Sequence, residues 1–252
     1  LGHEVFCFFP RKEALSSQRH RETPVRAHIH GSTLPVLELA LEQGERVISE
    51  TGELSWKTPS ISMKTGASVG GGGFFGAVGR AVSGGGLFMT EYAALHGPGL
   101  VAFAAKIPGT VSRMEVASGR SYLIHKHGFL CGTSGIHLSI GLQRRIGAGI
   151  LGGDGFILQK VAGQGQFWIE LGGEVVHKTL APGEVIQVHP GHVGMFEDSV
   201  SFDTTMVAGV RNLFFGGDGM FLAELRGPGS IWLQTLTLPN LAHALAPYFE
   251  RK

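Results

Sequence analysis

Residues Gly152–Gly165 read GGDGFILQKVAGQG, and Gly216–Gly229 read GGDGMFLAELRGPG. A looser copy, GGLFMTEYAALHGPG, occupies Gly85–Gly99. Each copy is a glycine pair, a short apolar run and a Gly-x-Gly exit. Self-similarity at a fixed period marks one supersecondary unit used several times. A second landmark, a leucine or valine three residues before a glycine, then a strand and a turn, recurs beside it. It reads LEQGERVISETGEL from Leu41, VASGRSYLIHKHGFL from Val116 and LAPGEVIQVHPGHV from Leu180. Its glycines Gly119 and Gly183 are 64 residues apart, and so are Gly152 and Gly216. Two independent landmarks with one offset predict a true repeat. Gly44 and Gly119 are 75 residues apart, so the first unit carries an insertion. It falls in GASVGGGGFFGAVGRAVSGGG, residues 66–86, whose glycine clusters read as loop ends.

Each Gly-x-Gly exit leads into a strand-like run: LVAFAAKI, QFWIELGG and SIWLQTLTL. In the last, Ile231, Leu233 and Thr235 alternate with Trp232, Gln234 and Leu236, the period of two that argues strand. Apolar residues on both faces predict burial on both sides. PVLELALE, ahead of Gly44, reads as a fourth, leading copy, and SIWLQTLTL is expected to pair back to the first unit. Short runs punctuated by glycine and proline fit a barrel or sandwich. One unit alone cannot hide its apolar face, so several must pack together. The expected fold is all-β: three units, approximately 34–99, 100–165 and 166–238, as small barrels or rolled sheets around a pseudo-threefold axis. Asn240 is expected to cap a short C-terminal helix within 239–250 that ends near Pro247 and docks as a lid. Residues 1–33, with five arginines and lysines among several histidines, read as an N-terminal extension to a single domain over 34–252.

The totals bound the function. The 252 residues suffice for a sizeable core. Forty glycines, with charged residues at 16%, suit tight turns and argue against long helices. Lys plus Arg is 21 against Asp plus Glu at 20, a formal charge of +1, so no global field attracts nucleic acid. Two cysteines, Cys7 and Cys131, make no disulfide framework and suit a reducing compartment. No run of eighteen apolar residues predicts a membrane-spanning helix, and the start makes a poor signal peptide. The cytoplasm is the expected location.

The glycine-rich FFGAVGRAVSGGGLFMTEY, the GGDGFILQKVAGQG stretch and GGDGMFLAELRGPGSIWLQTL together resemble the altered inheritance of mitochondria 24 family. The resemblance covers about Leu34 to Leu238. It implies tandem units related to the trp RNA-binding attenuation protein (TRAP-like), of double-stranded β-helix type. It carries no catalytic residues to this chain. Eukaryotic members are associated with mitochondrial inner-membrane organisation. The chain departs from the pattern in its histidine-rich start and at Gly84–Gly86, where an acidic residue is common.

Histidines are the sharpest chemical candidates. His125-Lys126-His127 follows Gly119 in a Gly-x5-His-x-His run that looks like the first metal motif of cupins. Two imidazoles at alternate strand positions share a face and a metal. The acid expected shortly after is missing. The sixth residue after each anchoring glycine is Glu50, His125 and His189. Brought together at an axis, these would make a facial set suited to iron. The competing reading places them beside turns, facing water. No nucleophile elbow or phosphate-binding loop is complete. Asp154 and Asp218 read as turn residues, and Trp168 and Trp232 as core.

The expected function is that of a non-enzymatic scaffold or interaction protein with no cofactor. Its partner would be a protein or a membrane surface, met by apolar loops carrying Phe74, Phe75, Val78, Arg80, Arg144 and Arg145. Homo-oligomerisation is compatible with this reading; nucleic acid is not expected. The alternative is a cupin-like metal or small-ligand binder using His125, His127, His189 and Glu50.

Overall fold

One glycine sets the turn that opens each landmark. In the computed structural model Gly44, Gly119 and Gly183 have φ of 92°, 82° and 79°, the left-handed region that side chains resist. A Cβ at any of the three would meet nothing within 4 Å, so the constraint lies in the backbone and not in space. Each glycine is the third residue of a four-residue turn. The Glu45 N–H donates to Glu42, that of Arg120 to Ala117 and that of Glu184 to Ala181, each at 3.0 Å. A positive φ at the third place is what a type II turn requires. Three separate stretches therefore turn in one way, and each launches a strand.

The structure describes residues 25–68, 87–144, 156–207 and 220–249. The first strands are β1 (Arg26–His30), β2 (Val36–Leu41), β3 (Arg46–Glu50), β4 (Trp56–Lys57), β5 (Ile61–Ser68), β6 (Leu87–Ala94) and β7 (Gly99–Ala104). Next come β8 (Gly109–Val116), β9 (Ser121–His125), β10 (Phe129–Thr133), β11 (Ile136–Arg144), β12 (Phe156–Gly163) and β13 (Gly165–Gly172). The last are β14 (Val175–Leu180), β15 (Val185–Val188), β16 (Val193–Glu197), β17 (Ser201–Val207), β18 (Met220–Arg226) and β19 (Gly229–Gln234). A short helix, α1 (Leu238–Leu245), and a 3-10 turn at Ala246–Tyr248 follow.

The described residues are mostly β, in four sheets, and among them no sheet closes on itself. The first has the order β1-β2-β7-β4, the second β5-β6-β3-β10-β13-β8, the third β11-β12-β9-β16-β19-β14 and the fourth β15-β18-β17. Each strand of the third sheet stands six places later in the chain than its counterpart in the second. The first and fourth sheets follow half of the same order. Register carries over as well. Cys131 faces Trp168 across a shifted register in the second sheet, as Met195 faces Trp232 in the third. Ser121 faces Ala162 in the third sheet, as Val185 faces Arg226 in the fourth.

Apolar residues fill the space between successive sheets. Leu39, Val101 and Phe103 from the first sheet meet Tyr92 and Trp168 from the second. Phe167, Ile169 and Leu171 from the second meet Ile124, Leu138 and Val161 from the third. Phe196 and Ile231 from the third meet Ala223 and Leu225 from the fourth. β13 is buried almost throughout, as its two-faced apolar pattern predicts.

Five local expectations change. β19 pairs with β14 and β16, not with the first unit, because strands already flank it on both sides. β2 is not a copy of the exit strands. It pairs with β7 as β8 pairs with β13, so it stands in the place of β8. The sheet begins before Leu34, since β1 pairs along its whole length with β2. Thr237, not Asn240, caps α1: its side-chain oxygen accepts the Asn240 backbone N–H at 3.2 Å, and the helix starts at Leu238. No residue of α1 is buried, so it does not sit as a closed lid.

Trp168 is fully buried, whereas Trp56 is 47% exposed. Trp168→Ala is expected to cost about 3–5 kcal/mol through the void it leaves, and Trp56→Ala within about 0.5 kcal/mol. Urea denaturation of the two variants beside the parent measures both.

Candidate functional site: a cleft at the strand ends

The L-x-x-G turns open β3, β9 and β15, and matched polar residues stand at or just past the ends of those strands. Glu50 is the last residue of β3 and His125 the last of β9, while His189 follows the end of β15. The matched positions thus recur at strand ends. Among the described residues, no group of three or more His, Cys, Asp or Glu has a geometry to hold a metal. Each candidate has its own surroundings. Glu50 accepts a hydrogen bond from Gln159 Nε2 at 2.8 Å, a link between the second and third sheets. Burial raises its pKa, partly opposed by that bond. His127 lies beyond β9, in the turn, so it does not alternate with His125 on one strand face. His189 precedes the short 3-10 turn Pro190–His192, and its ring lies edge-on to His192 with centroids 5.9 Å apart. Burial, then the neighbouring His192, lowers its pKa.

His125 stands apart from the others. Its Nδ1 accepts the His127 backbone N–H at 3.4 Å, which assigns the imidazole proton to Nε2. That Nε2 is buried and makes no hydrogen bond of good geometry among the described residues. Burial, then the nearby His127, lowers the pKa from 6.5 to about 4; the Glu170 backbone opposes the shift. The imidazole is therefore a neutral, buried donor at neutral pH.

His125 lines a cleft of about 350 Å³. Lys106, Lys126, Glu170 and Gln234 supply the other main polar groups. Ile107, Phe156, Val193, Leu236 and Leu238 supply much of the apolar wall. The cleft thus gathers strand ends from two sheets, the link between β7 and β8, and the start of α1. Two of its polar groups are structural. Glu170 Oε1 accepts the Lys106 backbone N–H at 2.7 Å and that of Ile107 at 3.4 Å. Gln234, at the matching place on β19, accepts the Gly172 N–H at 2.9 Å and donates to Gly191 O at 2.8 Å. Burial raises the Glu170 pKa, opposed by those two backbone donors.

Lys106, Glu170 and Gln234 were not candidates from the sequence. Their signal was present: Glu170 and Gln234 are polar residues at matched places inside apolar runs, FWIEL and IWLQT. The loop residues Phe74, Phe75, Val78, Arg80 and Arg145 lie outside the described residues, as do Asp154 and Asp218; Arg144 ends β11. Trp168 is core, whereas Trp232 is partly buried and packs on Tyr122 and His177.

These features define a class: an all-β chain of layered antiparallel sheets with a short C-terminal helix and a cleft at its strand ends. Residues 27–236 match the family model described as Mitochondrial biogenesis AIM24, and the chain belongs to that family. It is the family that the glycine-rich runs resemble. The crystal structure of a Streptococcus pyogenes protein, a structural-genomics target, is similar with a TM-score of 0.69 at 24% identity. The match covers 89% of this chain and 100% of that one, and shows a shared fold. No curated protein matches the chain in sequence. No helix among the described residues is long and apolar enough to cross a membrane.

Two measurements probe the site. Glu170→Ala removes the acceptor from the part-buried Lys106 N–H···Glu170 hydrogen bond and is expected to cost about 1–2 kcal/mol. Glu170→Gln keeps an acceptor oxygen, as Gln234 does naturally, and is expected to stay within about 1 kcal/mol of the parent at pH 7. The second measurement is pH-dependent. As pH falls through 6.5 the unfolded chain takes up a proton at residue 125 that the folded chain refuses until about pH 4. Stability from His125 is complete above that window and lost on descending through it. Glu50 and Glu170, with raised pKa values, act in the opposite sense: their contribution is present below 4.5 and lost as pH rises. His125→Gln removes the first effect alone. Between pH 7 and 4 that variant is expected to lose less stability than the parent, by up to about 3 kcal/mol. Equal losses in urea titrations would contradict the buried neutral imidazole.

Proposed function

We propose that the chain is a non-enzymatic interaction protein. Its body is built from three tandem TRAP-like units of double-stranded β-helix type around a pseudo-threefold axis, with β1 paired ahead of the first. The repeated sheet order and register support the units. They group as β2–β7, β8–β13 and β14–β19, so each exit strand completes the unit before it. One observation carries the functional reading: polar side chains suited to chemistry are engaged in joining sheets. Glu50, Glu170 and Gln234 each hold a neighbouring sheet or strand end. His192 Nδ1 lies 2.8 Å from Gln234 O. Groups fixed in such struts position backbone and do not turn over a substrate.

The partner is a protein or a membrane surface, met by the loop carrying Phe74, Phe75, Val78 and Arg80, with Arg144 and Arg145 beside the equivalent loop of the next unit. The free, buried Cys131 suits a reducing compartment such as the cytoplasm. Deleting 74–82 is expected to abolish both liposome sedimentation and capture of cellular protein, with the melting temperature little changed. Unchanged association in both assays overturns the loop's role.

A second reading, small-ligand binding, is favoured by the cleft of about 350 Å³ at the start of α1.

A further inference from the structure

We propose that β1 carries a site for a divalent transition-metal ion, in which His28 and His30 chelate one ion of the zinc or nickel kind and the Glu38 carboxylate stands beside it.

Strand geometry places the donors. Residues two apart on a strand share a face, so His28 and His30 stand on one side of β1 and Ile29 on the other. Both histidines are exposed. Their rings already meet, with centroids 4.2 Å apart and planes at 60°. Two nitrogens that bind one zinc ion at about 2.1 Å each lie within about 4 Å of one another. Rings this close reach that spacing by side-chain rotation, with no movement of the backbone.

The surrounding charge favours a cation. Glu38 on β2 faces His28 in register, and its Oε1 lies 3.7 Å from His30 Nε2. A carboxylate beside a metal-bound imidazole orients the ring and raises its basicity. Arg26, the next residue on the same face, pairs with Glu42, which offsets its charge. His189 and His192 make a poorer pair. Their centroids are 5.9 Å apart, and His192 Nδ1 is held 2.8 Å from Gln234 O.

The donor type selects the ion. Imidazole suits zinc, copper, iron and nickel, whereas magnesium and calcium take oxygen. Among the described residues no third His, Cys, Asp or Glu is already set to ligate. Water therefore completes the shell, and the two imidazoles carry the affinity between them.

The test is calorimetric titration of the full chain with Zn²⁺, Ni²⁺ and Mg²⁺ alone. Zn²⁺ and Ni²⁺ are expected to bind and Mg²⁺ is not. His28→Ala and His30→Ala are each expected to weaken Zn²⁺ by about tenfold, because losing either ring opens the chelate. Glu38→Gln is expected to weaken it by about threefold, and His192→Ala to leave it unchanged. His28→Gln and His30→Gln, which keep the edge strand polar, serve where an alanine variant does not fold. Zn²⁺ affinity that survives the loss of both imidazoles places the ion elsewhere and overturns the site. Dependence on one of the two histidines alone overturns the chelate. Failure of both Zn²⁺ and Ni²⁺ to bind the parent overturns the proposal outright.

Discussion

The pairings of β3 with β10 and of β9 with β16 are the constraint on which the rest depends. Ile48 faces Gly132 in one, and Leu123 faces Phe196 in the other. Each pair lies at the middle of a six-stranded sheet and joins strands from successive parts of the chain. Without it each six-stranded sheet becomes two three-stranded halves. A half-sheet has one apolar face toward its own core and no continuous ladder behind it. The hydrogen bonds of the central pair thus bind the successive cores into one body.

Strand ends create a second demand, which the polar residues meet. A chain that runs past its ladder leaves N–H groups with no β partner. At Lys106 and Ile107 the acceptor is Glu170, and at Gly172 it is Gln234. Both side chains come from the sheet that packs alongside. The same requirement thus places a titratable carboxyl in one layer and a neutral amide in the next. A carboxylate held there has a raised pKa because burial outweighs the two N–H donors. The amide does the same structural work without that cost. This difference is why the two sites, alike in backbone, respond differently to acid.

Much of this was legible in the residues. Gly44, Gly119 and Gly183 marked the turns because a left-handed backbone leaves glycine as its signature. Alternation in QFWIELGG marked a strand buried on both faces. Pairing partners were less legible. Period two says that a run is a strand and says nothing of which neighbour it takes, so PVLELALE passed for an exit strand and SIWLQTLTL for a link to the first unit. The helix cap was misplaced because Thr237 and Asn240 are both competent caps and only backbone geometry separates them. The cleft was the least legible of all. Lys106, Glu170, Phe156 and Leu238 are far apart in sequence and meet only because strand ends converge. His125 was visible as a candidate for metal, but its burial as a neutral imidazole is a property of packing.

β1 has a consequence for behaviour in solution. All five of its residues are exposed, and it carries Arg26, His28 and His30 along the margin of the first sheet. Inside it lies β2, whose Leu37, Leu39 and Leu41 are buried. A chain trimmed to Leu34 would present β2 as a bare, apolar edge, a template for another copy to add a strand. β1 therefore covers the apolar edge of β2 with a strand whose side chains are exposed, the arrangement by which sheet margins resist adding a further strand.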